Sequence, residues 1–150
     1  MWTTQETAVT GLEREHVWEA VRDLHTGALT YDGADRFELH GAFAVGTKLT
    51  VTPVGQEPIT SRIDVLEPER TYADVTEFGE LRLTFRYDLE DHPEGDGAGT
   101  RVRYSLVIDG AGADAVGPEL GPQIAGDFPE SLAALLAAAE RRAGQATLDA

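Results

Sequence analysis

One stretch constrains the fold more than any other. Asp127-Phe-Pro-Glu-Ser-Leu-Ala-Ala-Leu-Leu-Ala-Ala-Ala-Glu-Arg-Arg-Ala-Gly144 reads as a single strong helix, and it follows a long run of strand-like alternation. Leu132, Leu135, Leu136 and Ala139 fall at helical spacing and make one apolar stripe. Such a helix has to be buried, and the partner that the rest of the chain offers is a sheet. A long helix laid on one curved antiparallel sheet tends to leave a hollow between them. An internal small-molecule pocket is therefore the leading functional expectation.

Composition narrows the partners. A chain of 150 residues fits one domain, 1–150, of a size that buries roughly 70% of the surface exposed when unfolded. Asp and Glu total 27 against 12 Lys and Arg, a formal charge of −15. Such a surface repels phosphates, which argues against nucleic acid and anionic membrane and favours solubility. Cysteine is absent, so disulfides, thiolate metal sites and cysteine nucleophiles are excluded. No stretch approaches the roughly 20 apolar residues of a membrane helix. Met1-Trp-Thr-Thr-Gln-Glu6 lacks the basic and apolar regions of a secretory signal. The expectation is a cytoplasmic protein.

Along the chain, Trp2 to Thr10 suits a first strand. Glu13 to Asp23 reads as a helix with Val17, Trp18, Val21 and Leu24 on one face. The segment from His25 to Gly33 reads as a second short helical turn or a loop. From Asp35 the period becomes two, with strands expected near 35–41, 47–53, 58–66, 71–78, 80–90 and 100–109. Leu81, Leu83, Phe85, Tyr87 and Leu89 alternate with charged and polar residues, the cleanest pattern in the chain. Ile59, Ile63 and Val65 are expected on one face, with Arg62 and Asp64 outward. His92 to Gly99 reads as an acidic, glycine-rich hairpin loop. Leu120, Ile124, Phe128 and Leu132 recur every four residues, so one helical face continues across Pro129, which should kink or restart the helix. Gly144 is the expected stop, with Arg141 and Arg142 at the negative end of the dipole and 144–150 a loose tail.

Three motifs, in this order, resemble the START-like helix-grip family (SRPBCC), which includes polyketide cyclase/dehydrase-type and lipid-carrying proteins. Glu15-His-Val-Trp-Glu-Ala-Val-Arg-Asp23 looks like its first helix. Gly41-Ala-Phe-Ala-Val-Gly-Thr47 looks like its strand-turn-strand signature. Asp127-Phe-Pro-Glu-Ser-Leu-Ala-Ala-Leu136 and onward resembles its terminal helix. The resemblance covers residues 2 to 143. It implies an α+β helix-grip fold: a curved seven-stranded antiparallel sheet wrapped around a long C-terminal helix, with two short helices between strands 1 and 2. The family commonly has tryptophan in the second of those helices, where this chain offers His25, Leu29 and Tyr31. The inward, ligand-facing positions carried over are Phe37, Leu49, Ile63, Leu83, Phe85, Tyr87, Tyr104, Leu106, Ile124, Phe128, Leu132 and Leu135, with Leu39, Val51 and Val102 beside them. Tyr87 and Tyr104 are the polar candidates, since each sets a hydroxyl on an apolar face.

No catalytic constellation stands out. His16, His25, His40 and His92 are scattered without metal-ligand spacing. His25 alone sits where the first helix meets the expected pocket entrance. Ser61, Ser105 and Ser131 lack a nucleophile-elbow pattern, and the glycine-rich segments lack the lysine and hydroxyl residue of a phosphate loop. No catalytic residue, metal or cofactor is assigned. The first functional expectation is binding or carriage of a hydrophobic or aromatic small molecule, with a homodimer compatible. The second is a cyclase, aromatase or dehydrase that folds a polyketide-like chain in a shaped pocket, which needs no triad. The third is a protein-interaction module like the family's co-chaperone branch.

Overall fold

In the computed structural model, which describes residues 1–93 and 97–149 (146–149 by backbone alone), strand β1 (Trp2–Thr10) leads into helix α1 (Arg14–Thr26). Strands β2 (Arg36–Leu39), β3 (Lys48–Thr52), β4 (Ile59–Glu67), β5 (Thr71–Phe78), β6 (Leu81–Asp91) and β7 (Thr100–Gly110) follow. Helices α2 (Ala113–Ala125) and α3 (Phe128–Asp149) close the chain. The strands form one seven-stranded antiparallel sheet in the order β1-β7-β6-β5-β4-β3-β2. From β2 to β7 each strand pairs with the next in sequence. The first strand instead pairs with the last, from Trp2↔Ile108 to Thr10↔Thr100, so α1 carries the chain from one sheet edge to the other. This is the α+β helix-grip architecture expected.

The curvature follows from what α3 buries. Leu132 and Leu135 share one core cluster with Leu49 of β3, Ile63 of β4, Tyr87 of β6 and Val102 of β7. A flat sheet could not bring strands from both halves onto one helix. Val17, Trp18, Val21 and Leu24 of α1 join the same cluster, as their spacing predicts. Two polar ties fix the helices further. Thr10 Oγ1 donates to Glu140 Oε1 at 3.0 Å, and Asp23 accepts from both Arg22 and Arg142.

Four local expectations need correction. The second short helix between strands 1 and 2 does not form. Gly27 ends α1 at φ 88°, and the Leu29 amide returns to the Asp23 carbonyl at 3.0 Å, so 27–35 runs as loop and turns. A Cβ at Gly27 would meet the Phe37 carbonyl oxygen at 3.0 Å, so glycine serves both the left-handed backbone and the close approach of β2. In β4 a register shift between Ile63 and Val65 places Leu66 opposite Tyr72 and Val65 opposite Ala73. The bulge moves Val65 off Ile63's face and brings Leu66 onto it.

Pro118 lies inside α2 and not in its first turn. Pro118 and Pro122 are both exposed, which leaves the carbonyls they cannot bond facing water. Pro129 does mark a restart, falling one residue into α3. Gly144 does not stop α3, whose backbone continues to Asp149. Arg142 therefore answers Asp23 and not the end of its own helix. The loop expected over His92–Gly99 includes 94–96, which lie outside the described residues.

Candidate functional site

Strand register builds a row of tyrosines across the inner face. Tyr72 of β5 lies opposite Tyr87 of β6, and Tyr87 lies opposite Tyr104 of β7. Period two puts Asp74 on the same face one rung along, opposite Phe85, which faces Leu106. The Tyr87 and Tyr104 rings stack with centroids 4.2 Å apart, and Tyr104 stacks on Phe128 of α3 at 4.2 Å. Tyr31, from the loop after α1, packs against the same core. All four tyrosines of the chain thus meet the interior.

The last turn of α1 lowers His25 onto this row. Its ring lies 4.0 Å from Tyr72 and 4.6 Å from Phe37, centroid to centroid. Nδ1 donates to the Val21 carbonyl at 2.7 Å, because a carbonyl can only accept, so the neutral ring turns an unprotonated Nε2 toward Asp74. Nε2 and Asp74 Oδ2 are 4.0 Å apart. The Tyr72 hydroxyl donates to the same oxygen at 2.9 Å. One rung beyond, Ser61 and Thr76 share a buried hydrogen bond of 2.6 Å.

Burial dominates the electrostatics. Asp74 is 4% exposed and His25 3%. Loss of water pushes the Asp74 carboxyl up to about 7, against the opposing hydrogen bond from Tyr72. It pushes His25 down to about 4 in spite of its bond to Val21. Each group is driven toward its neutral form. Burial, followed by neighbouring charge, pushes the Tyr31 hydroxyl up to about 12. Tyr72, Tyr87 and Tyr104 are raised for the same leading reason. Near the row, Asp35 is held above the usual carboxylate range by surrounding protein and then by Asp127.

The twelve positions expected to face a ligand fall into two adjoining apolar clusters. Leu49, Ile63, Tyr87, Leu132 and Leu135 are core to the first, with Phe37 against it. Leu83, Leu106 and Phe128 are core to the second, with Phe85 and Ile124 against it. Tyr104 packs on both. His25 lies deep in the core and not at an entrance. Asp74 and Tyr72 were missed by sequence reasoning. β5 is buried on both faces through Thr76, so its pattern shows no clean alternation; the parity of Tyr72, Asp74 and Thr76 was the available signal. Arg62 is exposed, and Asp64 faces Arg82 at 3.6 Å.

Two clefts of about 390 Å³ each open elsewhere. One is lined by Arg14, Arg70, Arg101 and Arg103 with Glu67, Asp88, Glu90 and Asp91. The other lies beside it, around Glu13, Glu69 and Pro93. Neither touches any of the twelve positions. The expected hollow is therefore neither of these clefts, and the rings of Tyr87, Tyr104 and Phe128 stack on one another on the inner face. Among the described residues no group of three His, Asp or Glu side chains could hold a metal ion, and no helix is long and apolar enough to cross a membrane.

Comparison with solved structures finds the same fold at low identity. Zhui aromatase/cyclase from Streptomyces sp. R1128 is 19% identical, with a TM-score of 0.66 and 94% of each chain covered. Protein MLL2253 from Mesorhizobium loti is 17% identical, with a TM-score of 0.65 over 93% of this chain and 97% of that one. A norcoclaurine synthase point mutant from Thalictrum flavum, in complex with a transition state analogue, is 14% identical, with a TM-score of 0.60 over 93% and 95%. No protein-family model and no curated protein sequence matches the chain.

Proposed function

We propose that this helix-grip chain binds an aromatic or otherwise hydrophobic small molecule bearing carbonyl or hydroxyl oxygens, held between the sheet and α3. One observation carries the reading: the whole tyrosine complement of the chain converges on the inner face among apolar side chains. Rings offer stacking, and hydroxyls offer donors and acceptors that orient an oxygenated ligand. The likeness to proteins described as an aromatase/cyclase and a norcoclaurine synthase supports it as analogy of fold. Because the rings touch one another, a ligand has to part them. Asp35 and Asp127 lie at the surface near Tyr31 and Tyr104, so a ligand would enter on the side of the 27–35 loop and the α2–α3 joint.

The same interior would serve a cyclase, aromatase or dehydrase acting on a polyketide-like chain. The buried carboxyl of Asp74 facing His25 favours this second reading, since a pure carrier has no need of a desolvated acid.

Native mass spectrometry of freshly purified protein tests the first reading by its co-purified compound, and calorimetry with a panel of aromatic ketones and naphthols tests it directly. Tyr104→Phe should leave the melting temperature nearly unchanged and weaken binding about five-fold, the worth of one hydrogen bond of roughly 1 kcal/mol. Equal affinity in Tyr104→Phe removes the hydroxyl from the site. No bound compound and no binding across the panel removes the site itself.

A further inference from the structure

We propose that Asp74 is the general base of an enzyme that moves a proton within a ketone, with Tyr87 and Tyr104 receiving the oxygen and His25 positioning the carboxyl. The inference rests on the interior being a binding site and adds to it a reaction that forms no carbon–carbon bond.

The geometry supplies each part. Asp74 is fixed on one oxygen by the Tyr72 hydroxyl at 2.9 Å and is walled from water by β5 and α1. Tyr87, one rung along on the neighbouring β6, and Tyr104, opposite it on β7, both feel the charge of Asp74. His25 cannot donate to the carboxylate, because its one proton is committed to Val21. Burial is what chiefly raises Asp74, and the bare Nε2 at 4.0 Å adds an electron-rich neighbour that disfavours a negative carboxylate.

The step balances without a co-reactant. The Asp74 carboxylate takes a proton from the carbon beside the carbonyl. The C–H pair becomes a C=C bond, the carbonyl π pair moves onto oxygen, and a tyrosine O–H donates to the resulting enolate. The carboxyl then returns the proton to the same carbon, or to the far end of a conjugated enolate, which shifts a double bond. Nothing is oxidised or reduced. A base whose pKa lies near 7 is well matched to this task at neutral pH.

The titratable groups at Asp74 are His25 from α1 and Tyr72 beside it, with Tyr87 on the neighbouring β6, Tyr104 one strand farther on β7 and Glu6 beyond it, opposite Tyr104 on β1. Tyr31, Asp35 and Asp127 stand farther out. Among those whose pKa is shifted, the tyrosines titrate above neutrality and His25 below it.

The test is deuterium uptake at C1 of 2-tetralone in D2O, followed by proton NMR, with saturation-transfer NMR reporting its binding separately. Wild-type protein should speed exchange, with a rate that rises through pH about 7. Asp74→Asn, which keeps the shape of the side chain, should lose about 100-fold or more while still binding 2-tetralone. His25→Phe should move the inflection to lower pH, by about one unit. This shift reads the proposal even if Asp74→Asn folds poorly, and a role confined to packing would not produce it. Binding without exchange, or exchange that survives in Asp74→Asn, overturns the proposal and leaves the binding site standing. An inflection that stays put in His25→Phe removes the positioning role. Absence of both binding and exchange overturns the site and the reaction together.

Discussion

Asp74 and His25 bind opposite numbers of extra protons on folding, and their effects on stability oppose each other. Asp74 has a folded pKa near 7, above its ordinary 3.8. The folded state therefore holds a proton that the unfolded state has lost, and this stabilisation, complete below about pH 4, is lost as pH rises toward 7. His25 has a folded pKa near 4, below its ordinary 6.5. Its contribution is complete above pH 6.5 and is lost as pH falls toward 4. Each slope is about 1.4 kcal/mol per pH unit, so between pH 4 and 6.5 the two nearly cancel. Removing one partner exposes the other. Asp74→Asn should gain stability relative to wild type with each unit of rising pH, and His25→Phe should gain it with each unit of falling pH. Urea melts of the three proteins across pH 4 to 8 measure both differences. A flat difference for Asp74→Asn would show that the carboxyl is not held protonated. Sequence could flag His25, which stands on a helix with a clear apolar face, but not its partner. Asp74's neighbours depend on cross-strand register and on a helix that arrives from far away in the chain.

Helix α2 shows how an element without strong local signals is placed by packing. It carries two glycines and two prolines within 13 residues, so propensity alone argues poorly for it. What seats it is Trp2. Ala113, Gly117 and Gly121 repeat every four residues on the buried face, and the indole fills the channel they leave. A Cβ at Gly117 would lie 2.4 Å from Trp2 Cβ, and one at Gly121 would lie 2.2 Å from Trp2 Cζ3. Gly121→Ala should therefore destabilise the protein by about 1–3 kcal/mol from overpacking, against a propensity gain of about 1 kcal/mol. In a Trp2→Ala background the clash is gone and only the propensity gain should remain. A double-mutant cycle by chemical denaturation reads the coupling directly. A Gly121→Ala protein as stable as wild type in both backgrounds would mean that Trp2 does not sit in the channel. The strands, by contrast, were legible nearly residue by residue, because β6 and β7 keep one face apolar and one wet, and a slip of one residue would invert both. Val65 was misplaced because a bulge adds a residue that no period reveals.

At the scale of the molecule, the order of elements was legible because a strand series followed by one apolar-striped helix has few compact solutions. The stacking of the inner-face rings was not, since which side chains meet depends on volumes and rotamers and not on pattern. Net charge adds a property that belongs to no single element. Acidic residues outnumber basic ones by 27 to 12, and several arginines are already engaged in exposed pairs, among them Arg14–Asp91, Arg101–Glu90 and Arg86–Asp88. Salt acts on both sides of this balance. It weakens exposed pairs worth about 0–1 kcal/mol each, and it relieves repulsion among the uncompensated carboxylates. With an excess of −15, the repulsion should dominate. Raising NaCl from about 0.01 M to about 0.15 M shortens the screening length from about 30 Å to about 8 Å, and the melting temperature should rise by a few degrees, about 2–4 °C for each kcal/mol gained. Calorimetry at the two ionic strengths, at pH 8 where the carboxylates are ionised, makes the comparison. A melting temperature that falls with salt would show that the arginine pairs, and not the surplus of acid, set the electrostatic contribution to stability.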